Sequence, residues 1–243
     1  MIHELERALK PWGTCRPLRR LEGGFRNEVH LVERAGELVV TKTTRRSAAA
    51  LAWLEPVQAL AREAGFVVPS FIRSERGRML ENGCTLETFV KGRAVTAAEA
   101  RQALPLIVRF HALSANWAQR PGFAAAEDLL HGERGGDADL STMPPDLVER
   151  CREAWRPLVG RPRAAVHGDL NPANLLKTPQ GLALVDWDEA RADAPAFDTF
   201  TLNREEVPPE LKAALVAWEV AVSWQLEPEH AQAQAELLFG TWC

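Results

Sequence analysis

The chain has 243 residues, a formal net charge of −4, 46% hydrophobic and 26% charged residues. That composition supplies a sizeable core and excludes wholesale disorder, and no apolar run reaches the roughly 18 to 20 residues of a membrane helix. The charge is uneven. Residues 1–93 carry 16 Lys+Arg against 11 Asp+Glu, and residues 94–243 carry 13 against 22. A basic first part suits a polyanionic ligand and an acidic second part suits metal ions or a cationic one, while the acidic whole speaks against general nucleic-acid binding.

In chain order, "IHELERALK" reads as a short helix ended by Pro11. "LRRLEGG" and "EVHLVER" read as strands around Gly23-Gly24, and Ala35-Gly36 turns the chain into a further strand that ends near Thr43. Ser47 as N-cap and Gly65 as C-terminal stop frame a helix, in which Pro56 predicts a kink or a break. "VVPSFIRS", "GRMLENG" and "CTLETFV" read as three more short strands, and "VKGRAVT" as a connection. From Thr96 the pattern turns helical, with Leu104, Ile107, Val108 and Phe110 in a stripe. Residues 121–145 read as irregular, and "PPDLVERCREAWRPLVG" as another helix. A buried strand "AAV" follows, then strands "NLLK" and "LALVDW" around a Pro179-Gln180-Gly181 turn. The tail holds two helical stretches broken near Pro228, with Leu211, Leu215, Trp218 and Val222 on one core face. Cys15, Cys84, Cys151 and Cys243 are scattered without a C-x-x-C pair, so neither a zinc site nor a disulfide framework is expected, and reduced thiols fit a cytoplasmic setting. The charged N-terminus shows no secretory pattern.

The chemistry concentrates in "AVHGDLNPANLL" and "LALVDWDEA". Asp169 follows the buried strand in a loop, Asn174 stands close behind it, and Asp186 ends an apolar strand. A hairpin from 174 to 186 is predicted to bring Asn174 and Asp186 together, and two oxygen-bearing side chains at one mouth suit Mg²⁺. Asp169 is positioned to orient a hydroxyl nucleophile and accept its proton. Positioning, metal and charge neutralisation are what phosphoryl transfer needs. In the first half, Gly23 and Gly24 let backbone N–H groups approach phosphates. Lys42 in "VVTKTT" is placed to reach phosphate oxygens as a point charge, with Glu55 or Glu63 on the following helix as its partner. Glu55 is preferred as the deeper of the two. His167 reads as a bracing residue and His111 as a helix-face core residue. Asp188, Glu189 and Asp193 read as an acidic edge, either solvated or attractive to a cationic acceptor.

Together, "HGDLNPANLL" and "LVDWDEA" resemble the catalytic loop and metal-binding segment of the aminoglycoside phosphotransferase and choline kinase superfamily, which includes homoserine-kinase-type enzymes. "GGFRNEVHLV", "VVTKTT", "GFVVPSFI", "LETFVKGR", "FHAL" and "DAPAFDTFTL" extend the resemblance over nearly the whole chain. It implies an α+β, protein-kinase-like bilobal fold. Residues 1–91 would form a β-rich N-lobe with one main helix, and residues 92–243 a mostly helical C-lobe. It implies ATP and Mg²⁺ as cofactors and Asp169 as the catalytic aspartate. Asn174 and Asp186 match the Mg²⁺ ligands, and Lys42 matches the lysine on the α/β-phosphates. Gly23, Gly24 and Asn27 match the loop over the phosphates, and Glu87 to Phe89 the hinge that meets the adenine. His167 and Asp198 match positions that brace the loop. The expected function is transfer of the γ-phosphoryl group to a hydroxyl of a small molecule, amine-bearing by the charge of the second half. The alternatives are a homoserine or sugar kinase of the same fold, or a catalytically silent nucleotide-sensing module. A small-molecule acceptor is the expected partner, with no nucleic acid and no membrane; the sequence names neither the acceptor nor an oligomeric state.

Overall fold

Ala35 and Gly36 take positive φ values of 52° and 83°, the backbone a two-residue hairpin turn demands, and they join β2 (Val29–Arg34) to β3 (Glu37–Thr43). The computed structural model describes residues 2–21, 27–202 and 208–240. β1 (Cys15–Arg20) and β4 (Cys84–Thr88) flank that hairpin in an antiparallel sheet of order β1-β2-β3-β4. β3 is therefore a central strand. Trp12 behind α1 (Ile2–Leu9) is 1% exposed and packs in a cluster with Leu9, Val32, Val39 and Leu86. Its indole N–H donates to the Ile72 carbonyl at 2.7 Å.

α2 spans Ala48–Ala64, capped by the Ser47 hydroxyl on the Ala50 N–H and closed by Gly65 at φ 114°. The expected break at Pro56 does not occur, because the helix runs through it. The lost N–H would have bonded Ala52. Pro56 and Ala52 both lie on the exposed face, where the orphaned carbonyl has solvent to bond, while Leu51, Leu54, Val57 and Ala61 form the buried face. Of the three short strands expected between residues 67 and 90, one forms. Val67, Phe71 and Glu81 make isolated bridges instead.

The chain forms two compact units. The first takes the residues up to Arg93 together with Leu176–Val185, and the second takes Ala94–Leu175 and the residues from Asp186 onward. The hairpin of β9 (Leu175–Thr178) and β10 (Gly181–Leu184), expected in the second part, thus belongs to the first unit for most of its length. A parallel bridge from Val67 to Ala183, with Val67 N–H donating to Leu182 O at 2.9 Å, ties it there.

The chain passes between the units at β5 (Arg93–Ala94). In the second unit, a Thr96–Glu99 capping box opens α3 (Ala97–Ala100), and α4 (Leu104–Leu113) follows. Residues 121–145 are irregular apart from short 3₁₀ turns and the two-residue strands β6 (Arg134–Gly135) and β7 (Ala138–Asp139). After α5 (Pro145–Trp155), β8 (Ala164–Val166) pairs antiparallel with β11 (Arg191–Asp193). α6 (Ala196–Leu202), α7 (Pro209–Ser223) and α8 (Pro228–Gly240) complete the unit. Its core centres on the tilted pair Trp155 and Trp218, with ring centroids 6.4 Å apart. Such a pair stabilises by about 0.5–1.5 kcal/mol beyond its burial.

Candidate active site

β8 is buried along its whole length, and the chain leaves it directly into the loop His167–Asn174. Gly168 has φ +84°, and a Cβ there would lie 2.5 Å from the Glu189 carbonyl oxygen and 2.8 Å from Arg191 Nη1. Only glycine fits this close approach. Asp198, in the first turn of α6 and 0% exposed, holds the loop from beneath. Its Oδ2 accepts the His167 N–H at 2.8 Å and is hydrogen-bonded to His111 Nε2 at 2.8 Å, and its Oδ1 accepts the Gly168 N–H at 2.9 Å. Burial alone would raise the Asp198 carboxyl. The His111 hydrogen bond, the charges of His111 and His167 and the Gly168 N–H outweigh it, and the net shift is downward. His167 is buried with its ring edge-on to Trp187, so the bracing role expected of His167 and Asp198 has a concrete geometry. His111, read as a core residue, is both core and brace.

Asp169 is exposed at the start of the turn. Its Oδ1 accepts from Asn171 Nδ2 and its Oδ2 from Asn174 Nδ2, both at 2.9 Å. Asn171 was missed in the sequence. Its Oδ1 also accepts the N–H groups of Ala173 (2.8 Å) and Asn174 (3.3 Å), an Asx-type closure across Pro172. The signal was present as Asn-Pro. Asn174 spends its amide nitrogen on Asp169, and among the described residues no donor occupies its Oδ1. Asp186 stands at the other end of the β9–β10 hairpin, half-buried, in the left-handed conformation at φ 63°. An amide oxygen and a carboxylate are hard oxygens of the kind Mg²⁺ takes one or two at a time, with phosphate and water filling the remainder. Among the described residues no three His, Cys, Asp or Glu side chains group as a metal site.

Asp169 lines a pocket of about 420 Å³ in the second unit, walled by Phe197, Leu215 and Trp218 and by Glu219, His230 and Gln234. The Glu219 and His230 side chains are 3.9 Å apart. Trp218 packs on its other side against the Arg191 guanidinium, 3.7 Å from the ring centroid. Arg191 Nε donates to Asp193 Oδ2 at 2.8 Å, and Asp193 is 2% exposed. Asp193 therefore leaves the acidic edge to which the sequence assigned it and becomes an internal partner of a buried cation.

In the first unit, Lys42 lies on β3, half-buried, opposite Val29 of β2 and Thr85 of β4. Glu87 pairs in register with Val40, and Phe89 follows the end of β4. Asn27 lines a polar pocket of about 340 Å³ with Arg20, Thr43 and Arg45. Gly23 and Gly24 lie outside the described residues. Glu55 does not serve Lys42: its carboxylate is bonded by Arg73 Nη2 at 2.6 Å. Glu55 sits one position off the buried stripe of α2, with its side chain 41% exposed, which opens it to Arg73 from the loop after residue 72.

The profile of the phosphotransferase enzyme family matches residues 17–234. No curated protein sequence matches the chain. Among solved structures, a microcompartment-associated aminopropanol kinase superposes with a TM-score of 0.64 at 17% identity, covering 99% of this chain and 95% of that one. A spectinomycin phosphotransferase in complex with ADP and spectinomycin gives 0.61 at 9% identity, with 99% and 98% covered. A choline/ethanolamine kinase family protein from Mesorhizobium loti gives 0.56 at 18% identity, with 99% and 95% covered. At these identities the likeness is one of fold. The α+β architecture is that of kinase-like phosphotransferases. Among the described residues no helix is long and apolar enough to cross a membrane.

Proposed function

The chain belongs to the phosphotransferase enzyme family, and on that premise we propose that it moves the γ-phosphoryl group of ATP to a hydroxyl of a small, amine-bearing molecule. The observation that carries this reading is the Asp169 carboxylate, fixed by two amide donors on the rim of a 420 Å³ pocket. A carboxylate so held has a preferred orientation toward the pocket rim. It orients an acceptor hydroxyl and takes its proton as the oxygen–phosphorus bond forms and the bond to ADP breaks. Apolar walls with Glu219 as a second carboxylate suit an acceptor with a hydrocarbon part and an ammonium group.

On this reading Lys42 pairs with phosphate oxygens, Gly23, Gly24 and Asn27 cover the phosphates, and the backbone of Glu87 to Phe89 meets the adenine. Asn174 Oδ1 and the Asp186 carboxylate would hold Mg²⁺, which when bound neutralises charge on the phosphates. The aminopropanol and spectinomycin named for the structural neighbours place such acceptors first in a screen.

The test is ATP consumption across amino alcohols, aminoglycosides, choline, homoserine and neutral sugars, repeated with Asp169→Asn. The expected result is turnover on an amine-bearing alcohol. Asp169→Asn should cut it by about 10³-fold with nucleotide affinity held within about threefold. Nucleotide binding without transfer to any acceptor would instead indicate a sensor. Unchanged turnover in Asp169→Asn would remove the role given to that residue.

A further inference from the structure

Residues 119–126, which run into the stretch read as irregular, meet the run that follows Asp186. Arg120 is 0% exposed. Its Nη1 donates to three carbonyl oxygens of that run, those of Asp188 at 2.7 Å, Ala190 at 3.0 Å and Trp187 at 3.4 Å. The Phe123 ring lies against the guanidinium, 4.2 Å from centroid to carbon. Gln119 works beside it as a stand-in strand. Its amide Nε2 donates to the Ala192 carbonyl at 2.9 Å, and its Oε1 accepts the Ala192 N–H at 3.0 Å. The same Oε1 accepts the Arg120 N–H at 2.8 Å. The Ala126 N–H then reaches Asp193 Oδ2 at 3.2 Å. One short segment thus binds backbone or side chain at positions 187, 188, 190, 192 and 193.

The residue next to this clamped run is Asp186, at φ 63° without being glycine. Such a conformation persists only where the surroundings over-determine it. All three bonds leave one nitrogen, while the flat face stacks on Phe123 and is more weakly hydrated than an ammonium, so a lysine would lose both that packing and the ease of burial. Burying a cation is costly, and this one is directed at main-chain oxygens beside the strained aspartate.

We propose that Arg120 and Gln119 are positioning residues for Asp186, fixing the backbone that presents its carboxylate to Mg²⁺ and so setting the affinity for metal-bound nucleotide. This rests on the reading of Asp186 as a metal ligand. A positioning role differs from a general contribution to stability. It changes the Mg²⁺ concentration needed for tight nucleotide binding and leaves metal-free nucleotide affinity alone.

The experiment titrates Mg²⁺ into the full-length protein with a fluorescent ADP analogue and repeats the nucleotide titration in EDTA. The variants are Arg120→Lys, Gln119→Leu and Asp186→Ala, each with a thermal melt. Gln119 is only half-buried, so its leucine variant keeps the measurement available should the Arg120 change prevent folding. Expected are rises in the Mg²⁺ half-saturation of about tenfold for Arg120→Lys and about threefold for Gln119→Leu, with EDTA affinities within about twofold of wild type. Asp186→Ala should abolish the Mg²⁺ dependence. Wild-type Mg²⁺ dependence in both clamp variants, with Asp186→Ala impaired, overturns the clamp and leaves the metal reading standing. Equal losses with and without Mg²⁺ also overturn it. Undiminished Mg²⁺ dependence in Asp186→Ala removes the metal reading and the clamp with it.

Discussion

Replacing Asp198 by alanine tests how the catalytic loop is held. The carboxylate receives three hydrogen bonds, from His111 Nε2 (2.8 Å), His167 N–H (2.8 Å) and Gly168 N–H (2.9 Å), and it is wholly buried. Hydrogen bonds to a charged group contribute about 1.5–3 kcal/mol each. They share one acceptor and are not additive, so the bound is better taken from buried charge networks broken on one side, at about 3–5 kcal/mol. Asp198→Ala is therefore expected to lose about 3–5 kcal/mol. Asp198→Asn should lose somewhat less, since its oxygen still accepts while its NH₂ meets a donor. The two N–H groups belong to the residues just before Asp169, so a loosened loop should also lower kcat, by about 10²-fold. Urea unfolding followed by tryptophan fluorescence reports both units, with Trp155, Trp187 and Trp218 buried in the second and Trp12 in the first. Steady-state turnover gives the other half of the test. An alanine variant that unfolds within 1 kcal/mol of wild type and retains kcat within about threefold would refute the reasoning.

The depressed Asp198 pKa fixes a pH dependence. A carboxyl whose folded value lies below its unfolded one, about 3.9, stabilises fully above that unfolded value and loses the contribution as pH falls through the folded one. Wild type should therefore lose stability more steeply than Asp198→Asn below about pH 4, measured by urea titrations from pH 5 to 3. Gly168→Ala forces a Cβ to within 2.5 Å of the Glu189 oxygen at a positive φ, so a loss of about 1–3 kcal/mol with reduced turnover is expected in the same two assays. Burial pushes the Cys151 thiol up to about 12, so peptide mapping after alkylation at pH 8 should find it unlabelled in the native protein and labelled in urea.

Local rules carried the sequence reading wherever one residue settles the backbone. Ala35-Gly36, Ser47 and Gly65 act where expected because turn and cap preferences depend on a few neighbours. His167 and Asp198 were legible as braces through the resemblance, and the His167 N–H bond to the Asp198 carboxylate supplies the reason. The failures share a cause, which is that the partner lies far along the chain. Arg73 takes Glu55 from 18 residues away, and Trp218, from a helix well downstream, packs over Arg191, whose ion pair with nearby Asp193 is buried. Arg120 reaches carbonyls 67 to 70 residues on. No periodicity encodes such pairings. Pro56 misled for the opposite reason: its local penalty is real, but it falls on a face where little depends on it.

The division of the chain has a consequence for biosynthesis. Val67 is bridged by Ala183, so the first unit lacks a tether until a segment more than eighty positions downstream has been made. At about 5–20 residues per second, that wait is on the order of 5–20 s. The four-stranded sheet is complete by Thr88, but the stretch around Val67 must wait without its bridge, on or near the ribosome. A fragment stopped at Arg93 would be held in that immature condition permanently, and supplying residues 176–185 as a separate peptide is the natural attempt at complementation.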